Sequence, residues 1–376
     1  MDKVVRFLNI ALIFEKIIRM SSPLQVGFVG FGMSARTFHA PFLALIPGYR
    51  LHTAWERHGP QAPALYPGIR SVQDPRDLFD NPEIDLIVVT TPNTTHAEYA
   101  AWALRSGKHV VLEKPFTIST GDAVVLEDLA QAQGKVLAVF HNRRYVSDFL
   151  TVRQVLAGQP LGPVHEYEAH YDRYRPEAKP NAWREEPLEG SGILYDLGPH
   201  LIDQAFCLFG LPQSLYADVR LQRAHARAVD YFDLQLYYPG LKVILKGGML
   251  VREPGPKYMI HGLDGSFIKY GDDPQEPILR AGGKPLGPGW GEEDPAHYGL
   301  LHTKKAGEVI YESVPSLPGN YGLFYQDLYA TLREGAPLKT TPAHGYNTVR
   351  LIELALESSS RQAVVDATGL REVAYP

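Results

Sequence analysis

Cysteine is nearly missing from this chain: Cys207 is the only one in 376 residues. One thiol can form no intrachain disulfide, no thiolate pair for zinc and no redox couple, so a reducing cytoplasm is the expected setting. No cluster of histidines or carboxylates stands at metal-ligand spacing either, and no metal is expected. Long apolar runs are missing too. The nearest approach, Leu8–Phe14, contains Asn9 and stops at Glu15 and Lys16, far short of the roughly 20 residues that span a bilayer. No small-x-small cleavage site follows it, so neither export nor a membrane span is expected. Residues 1–21 read as an N-terminal extension, with Met20 as the expected start. Charge of a single sign is absent as well: 37 Lys plus Arg stand against 42 Asp plus Glu, a net charge of −5, and the basic residues are scattered. That scatter excludes a phosphate-neutralising stripe, and with it a nucleic-acid partner.

What is present is an apolar fraction of 45% on a chain long enough for two domains at about 100–200 residues each. Leu24–Val29, Arg50–Trp55, Leu86–Thr90, His109–Leu112 and Val136–Phe140 are short apolar runs that read as strands. Between them Thr94–Ser106 and Ser119–Gln133 read as helices, each opened by a hydroxyl residue and closed by Gly107 or Gly134. Such alternation over 22–142 predicts a doubly wound parallel sheet of the α/β class. Over 143–376 the strands lengthen and alternate, as in Val164–Tyr171, Tyr231–Tyr237 and Lys242–Gly247, which predicts a second α/β domain with a large open mixed or antiparallel sheet. Pro274–Pro295 reads as a surface excursion, and Tyr321–Glu334 and Ala343–Ala363 as closing helices. An open sheet with an uncovered apolar face predicts a homodimer or a dimer of dimers.

Gly30, Gly32 and Ala35 form G-x-G-x-x-A at a strand-to-helix junction. Gly30 permits the tight turn, Gly32 lets backbone approach a pyrophosphate, and Ala35 allows close helix–strand packing. Gly30, Gly32, Met33, Ser34 and Ala35 are therefore candidates for holding a dinucleotide, against the plainer reading of a glycine turn. Glu56 and Arg57 follow at the end of the next strand. A carboxylate there accepts from ribose hydroxyls and favours NAD, whereas an arginine pairs with a 2′-phosphate and favours NADP; a solvated charge pair is the bland alternative. Thr91, Pro92, Asn93 and His96 stand at the carboxyl end of another strand, where ligands of open α/β sheets bind, although a turn and a surface histidine would look the same. Glu113-Lys114-Pro115 ends a further strand, and a lysine held there can donate to a substrate hydroxyl. Asp196 and His200 are four apart. An aspartate near the ring would set the tautomer that a general base needs, while a capping aspartate and a satisfied histidine are the alternative.

Taken in order, G-x-G-x-x-A, Glu113-Lys114-Pro115 and Asp196-x-x-x-His200 resemble the Gfo/Idh/MocA oxidoreductase family. His141-Asn142-Arg143-Arg144, Tyr174-Arg175-Pro176, Tyr195-Asp196-Leu197-Gly198, Val229-Asp230-Tyr231-Phe232 and Ser266-Phe267-Ile268-Lys269-Tyr270-Gly271 resemble its NADP-dependent scyllo-inositol 2-dehydrogenase branch. The resemblance runs from about Leu24 to the C-terminus. It implies a Rossmann domain joined to an open-sheet domain, and hydride transfer between nicotinamide and a secondary hydroxyl of a cyclic polyol or sugar. Lys114 would contact the reacting oxygen, His200 would take its proton, and Asp196 would support the pair. A cis peptide before Pro115 is implied as well, and Glu113 joins the cofactor-side residues. Asn142, Arg143, Tyr171, Arg173, Tyr174 and Trp183 are candidates for gripping the polyol; as structural residues they would knit domain interfaces instead. The chain departs from the branch at Glu56, where a small hydroxyl residue would be expected before the arginine; a carboxylate there would repel a 2′-phosphate. NADP is expected from Arg57 and the branch, with NAD as the alternative. Two competing functions remain: the same chemistry on another sugar or a dihydrodiol, and a dinucleotide-binding regulator without turnover.

Overall fold

The computed structural model describes residues 22–376 apart from 58, 181 and 306, so the expected extension over 1–21 and its start at Met20 lie outside the described residues. Six strands form the first sheet: β1 (Leu24–Val29), β2 (Tyr49–Trp55), β3 (Arg70–Val72), β4 (Leu86–Val89), β5 (His109–Leu112) and β6 (Leu137–Val139). All pair in parallel, in the order β3-β2-β1-β4-β5-β6. Continuous apolar sequence suits β4 and β5, because helices cover a doubly wound sheet on both faces. The strand order reverses between β1 and β4, and the crevice beyond their carboxyl ends is where this topology binds ligands. Strand β3 was not expected: three residues beginning Arg-Ser carry no apolar run, and they extend only because β2 offers a free edge.

Helices α1 (His96–Arg105) and α2 (Thr120–Ala132) lie where their patterns put them. Ser119 caps α2 by accepting from the Asp122 amide. The cap expected from Thr94 is not used. A 3-10 turn over Asn93–Thr95 precedes α1, and the Thr95 hydroxyl is drawn to Thr91 Oγ1 (2.8 Å) and the Pro92 carbonyl (2.9 Å) instead.

The second sheet has nine strands: β7 (Val164–Asp172), β8 (Ser214–Arg220), β9 (Tyr231–Tyr238), β10 (Leu241–Gly248), β11 (Tyr258–Gly262), β12 (Gly265–Lys269), β13 (Gly299–Lys305), β14 (Glu308–Val314) and β15 (Val365–Asp366). It is mixed, since β7 and β10 pair in parallel and their neighbours antiparallel. One face packs Tyr167, Ala169, Leu234 and Leu245 against α4 (Gly198–Phe209) and α6 (Pro342–Arg361), with α3 (Ser147–Ala157) at one side. The other face was expected to be apolar and is not. Alternation puts Glu168, His170 and Asp172 there, with His170 between Glu168 Oε1 (2.8 Å) and Asp172 Oδ2 (3.0 Å) and Lys246 bonded to Glu168 (3.1 Å). Ile244 and Met259 flank Glu168 in register, so apolar side chains interrupt an ionic network on that face.

The chain then returns to the first sheet. Tyr321, Phe324 and Tyr325, at and within α5 (Gly322–Glu334), pack with Phe28, Phe42, Tyr49 and Phe140. Gly345 in α6 rests on the ring of Phe116, where a Cβ would stand 2.6 Å from Cγ; only glycine lets this helix approach the segment after Lys114-Pro115. The stretch 274–295 is more than a surface excursion. It contains a helix, Gln275–Arg280, and buries Gln275, Leu279 and Glu293, with buried Asp273 immediately before it. Its polar groups find interior partners, Gln275 on the Tyr321 amide (2.8 Å) and Glu293 on Lys269 (2.6 Å), while Asp273 beside it accepts from the Ser147 amide (2.8 Å), which composition does not reveal. Among the described residues no helix is long and apolar enough to cross a membrane.

Candidate active site

Gly30 sits at φ +85°, a conformation that L side chains rarely adopt, with the Thr90 hydroxyl behind it. A Cβ on Gly32 would meet nothing within 4 Å, so the backbone there is open to a ligand. Ala35 is fully buried and begins a wide π-turn, Ala35–His39, closed by the Ala40 amide on the Ala35 carbonyl; one turn earlier the Arg36 amide donates to the Gly32 carbonyl (3.1 Å). The amides before Arg36 therefore have no helical acceptor, the arrangement that suits a phosphate. Met33 is exposed beside them. These features fit a dinucleotide: a turn only glycine makes, open space above it, and unspent N–H groups.

Other cofactor-side candidates turn out to hold the site together. The Ser34 hydroxyl donates to Glu113, whose carboxylate also meets His39 Nε2 (3.0 Å) and the Lys114 amide (3.1 Å). Burial would raise the Glu113 pKa, but the His39 hydrogen bond and charge, with Lys114 and Ser34, outweigh it and hold the group at about 2. The His96 ring bridges the carbonyls of Pro115 (2.8 Å) and Thr91 (3.0 Å), so it acts as a buried strut, and burial pushes its pKa down. Asn93 donates to the Gly190 carbonyl (2.8 Å), tying the first sheet to the loop before His200. Pro92 precedes that asparagine, and its carbonyl accepts from Thr95. Glu56 does not face the crevice. It is 5% exposed and accepts from the Gln61 and Ala62 amides and the Ser71 hydroxyl, while Arg57 is exposed.

The Lys114–Pro115 peptide is cis. Lys114 Nζ donates to the carbonyl oxygen of Asp196 (2.7 Å) and to its Oδ1 (3.2 Å), across 82 residues of sequence. Arg184 Nε shares that oxygen at 3.1 Å. Burial opposes ionisation of Asp196, yet Lys114 and Arg184 prevail and hold its pKa at about 2. The expected Asp196–His200 contact is not made: no hydrogen bond or ion pair joins them among the described residues. Asp196 ends one short helix, Gly192–Asp196, and His200 lies in the first turn of α4, which starts at Gly198 after Leu197, so a spacing of four does not bring them onto one helical face.

His200 is buried, and its Nδ1 has no hydrogen-bond partner. Burial depresses its pKa well below the usual histidine value, and Lys114, Arg143, His141 and Lys257 depress it further. The imidazole is therefore neutral and ringed by cations. Tyr171 lies edge-on to it with centroids 6.2 Å apart, and the Tyr171 hydroxyl is likewise buried without a partner. Two orphaned polar atoms inside one cationic cluster are costly unless a ligand completes them.

The remaining candidates divide. Asn142 is buried beside Arg143, whose guanidinium bonds the Tyr321 hydroxyl (2.6 Å) and Glu276. Arg173 is pinned by its backbone to Gly248 and Val251. Tyr174 lies exposed under Arg252, and Trp183 stacks on Arg184 at 4.5 Å. Sequence reading missed Arg184, Glu276 and Lys257, the last buried between Asp148 (2.5 Å) and Asp272 (2.6 Å) with Nζ 4.9 Å from the Tyr171 ring. No local pattern marks them, because each arrives from a separate part of the chain: Arg184 on a 3-10 turn, Glu276 on the helix Gln275–Arg280 and Lys257 just before β11.

Residues 24–141 match the oxidoreductase family's NAD-binding Rossmann fold, and residues 153–366 its C-terminal alpha/beta domain, both under the name Gfo/Idh/MocA. The scyllo-inositol 2-dehydrogenase (NADP(+)) IolW of Bacillus subtilis is 40% identical over 347 residues, covering 92% of this chain and 97% of that protein. A D-glucoside 3-dehydrogenase of Escherichia coli is 30% identical over 51% of this chain and 56% of its own length. Among solved structures, the oxidoreductase yvaA of Bacillus subtilis superposes with a TM-score of 0.89 at 39% identity, covering 92% of this chain and 98% of that one. An oxidoreductase of Bacteroides fragilis gives 0.85 at 42% identity, over 92% and 99% of the two chains.

Proposed function

This chain belongs to the Gfo/Idh/MocA oxidoreductase family and is an NAD(P)-dependent dehydrogenase, and from that premise we propose that it moves a hydride between NADP and a secondary hydroxyl of a cyclic polyol or sugar, an inositol first among them. The observation that carries this reading is the buried His200 with an unpartnered Nδ1, in one cationic cluster with Lys114. When bound, the nicotinamide supplies the hydride acceptor or donor; acid–base work falls to the protein. Lys114 Nζ, fixed by the Asp196 carbonyl and carboxylate, retains a third N–H to direct at the reacting oxygen. His200, held neutral, accepts the hydroxyl proton as the alcohol becomes a ketone and returns it in the reverse direction. Asp196 stays ionised at every working pH and steadies Lys114 rather than orienting His200. Tyr171 and Arg143 supply further donors around the histidine, and Asn142, Arg173, Tyr174 and Trp183 complete the proposed polyol contacts. NADP is favoured by the name of the relative and by the exposed Arg57.

Nicotinamide reduction with scyllo-inositol, myo-inositol and a sugar panel, each with NADP and NAD, tests the reading. Turnover on a polyol supports it; tight dinucleotide binding with no turnover on any member would favour a binding regulator instead. A cytoplasmic homodimer or dimer of dimers belongs to the same proposal, with a second copy facing the ionic and apolar side of the nine-stranded sheet. Light scattering at micromolar concentration should give at least twice the chain mass, and a monomer would refute the dimer.

A further inference from the structure

Beyond Asp172 the chain leaving β7 stays extended. The Arg173 amide donates to the Gly248 carbonyl (2.9 Å), the Val251 amide to the Arg173 carbonyl (3.0 Å) and the Arg175 amide to the Met249 carbonyl (2.7 Å). Extended backbone alternates its side chains between two faces. Tyr171, Arg173 and Arg175 therefore share one face, while Tyr174, with Arg252 stacked on its ring, takes the other. The first face is the catalytic one, because Tyr171 lies edge-on to His200. Arg173 acts on Asp272, whose carboxyl is held at about 2 by its partner Lys257 above all, with Arg143 and Arg173 adding, against the effect of burial. Arg175 feels the charge of Asp196, the partner of Lys114.

The carboxylates around this face are already committed. Glu276 serves Arg143 and Arg280, Asp196 serves Lys114 and Arg184, Asp272 serves Lys257, and Glu185 serves Arg223. The guanidinium groups of Arg173 and Arg175 are left with neither an ion-pair nor a hydrogen-bond partner among the described residues. Partial burial, then Arg173 and Arg280, push the Arg175 pKa below the usual arginine value, as happens when like charges crowd together. Two uncompensated cations thus follow Tyr171 along the strand direction at steps of about 7 Å. A six-membered ring whose reacting carbon stands at His200 would turn its opposite side toward them. Planar guanidinium forks with free donors and no counter-charge suit a phosphate or a carboxylate better than a hydroxyl.

We propose that the substrate is a cyclic polyol or sugar carrying an anionic substituent, a phosphate ester or a carboxylate, on the side of the ring away from the reacting carbon, and that Arg173 and Arg175 bind that anion. The inference rests on the polyol or sugar dehydrogenase reading above and can fail separately from it. Initial rates of the full chain at saturating dinucleotide, on matched substrate pairs, provide the test: glucose 6-phosphate and glucuronate against glucose, and an inositol monophosphate against myo-inositol. In the wild type kcat/KM should be at least about tenfold higher for an anionic member, the worth of a charge-assisted hydrogen bond. The gain should lie in KM and shrink as KCl is raised. A gain with the phosphate esters alone assigns a phosphate, and a gain with glucuronate alone assigns a carboxylate. Arg175→Ala should cut the anionic to neutral ratio by about tenfold, Arg175→Lys should restore part of it, and Arg175→Glu should reverse it in favour of the neutral member. Each ratio compares two substrates on one protein, so partial unfolding of a variant cancels. Neutral members turned over as well as their anionic partners, or a preference that survives Arg175→Ala, would overturn the inference alone. No turnover on any polyol or sugar would overturn the substrate reading and this inference together.

Discussion

Lys114→Met is expected to lower kcat for polyol oxidation by about 10²–10⁴-fold, the range for losing a positioned acid–base group, and to move the acid limb of the residual activity to higher pH. The first effect follows from the third N–H that Lys114 directs at the substrate oxygen. The second follows from charge. In the wild type, burial and then Lys114 are the two largest causes holding the His200 pKa below its usual value of 6.5. A base must be unprotonated, so wild-type kcat/KM should hold steady from pH 8 to 6.5 and fall only below that. Removing the lysine takes away the leading cationic neighbour, lets the His200 pKa rise toward 6.5, and brings protonation, hence loss of the base, into the range where the wild type is still active. Asp196 keeps Arg184 at 3.1 Å, so the substitution leaves no isolated carboxylate to unfold the site. Dinucleotide affinity should stay within about twofold, since Lys114 lies on the substrate side. Full pH–rate profiles for both proteins check the idea, and an acid limb that stays put or moves down in Lys114→Met would contradict it. His200→Ala should cost as much rate and show no such limb at all.

Asp203→Ala should destabilise the protein by about 3–5 kcal/mol, the penalty for leaving one partner of a buried ion pair alone. Asp203 and Arg144 are almost wholly buried and form a two-point fork, Nε to Oδ2 at 2.8 Å and Nη2 to Oδ1 at 2.7 Å. The fork binds together parts of the chain far apart in sequence. Arg144 follows the β6 end, Asp203 lies three residues after His200 on α4, Arg144 Nη1 reaches the Lys339 carbonyl (2.9 Å), and the C-terminal Tyr375 ring lies 5.6 Å from the guanidinium. His141 and His344 also surround it, but burial and Arg144 push both imidazoles down to about 4, so the uncompensated charge left behind is that of Arg144. By contrast the exposed Arg76–Asp74 pair, screened by solvent, should contribute little. Urea unfolding of Asp203→Ala and Asp74→Ala side by side gives the comparison; equal midpoints would show that the buried fork carries no special weight.

Sequence by itself determined what is local. Three small residues within six positions make the Gly30 turn wherever the chain places it, because φ and Cβ clearance are properties of single residues. Continuous apolar runs make β4 and β5 buried strands, and Ser119 caps α2, for the same reason. The alternation of short strands with helices was enough to settle a doubly wound sheet followed by a mixed one. Tertiary structure decided whatever depends on a partner distant in sequence. A spacing of four pairs Asp196 with His200 in the sequence, but the chain breaks between two helices at Leu197 and delivers Asp196 to Lys114 instead. Glu56 read as a ribose acceptor, yet the amides of Gln61 and Ala62 and the hydroxyl of Ser71 claim it. Lys257, Arg184 and Glu276 carried no signal, and the segment around Glu276 looked like solvent-borne loop until its polar groups found interior partners. A hydrogen bond or ion pair is specified by two positions at once, and one-dimensional spacing constrains only those pairs that share a regular element.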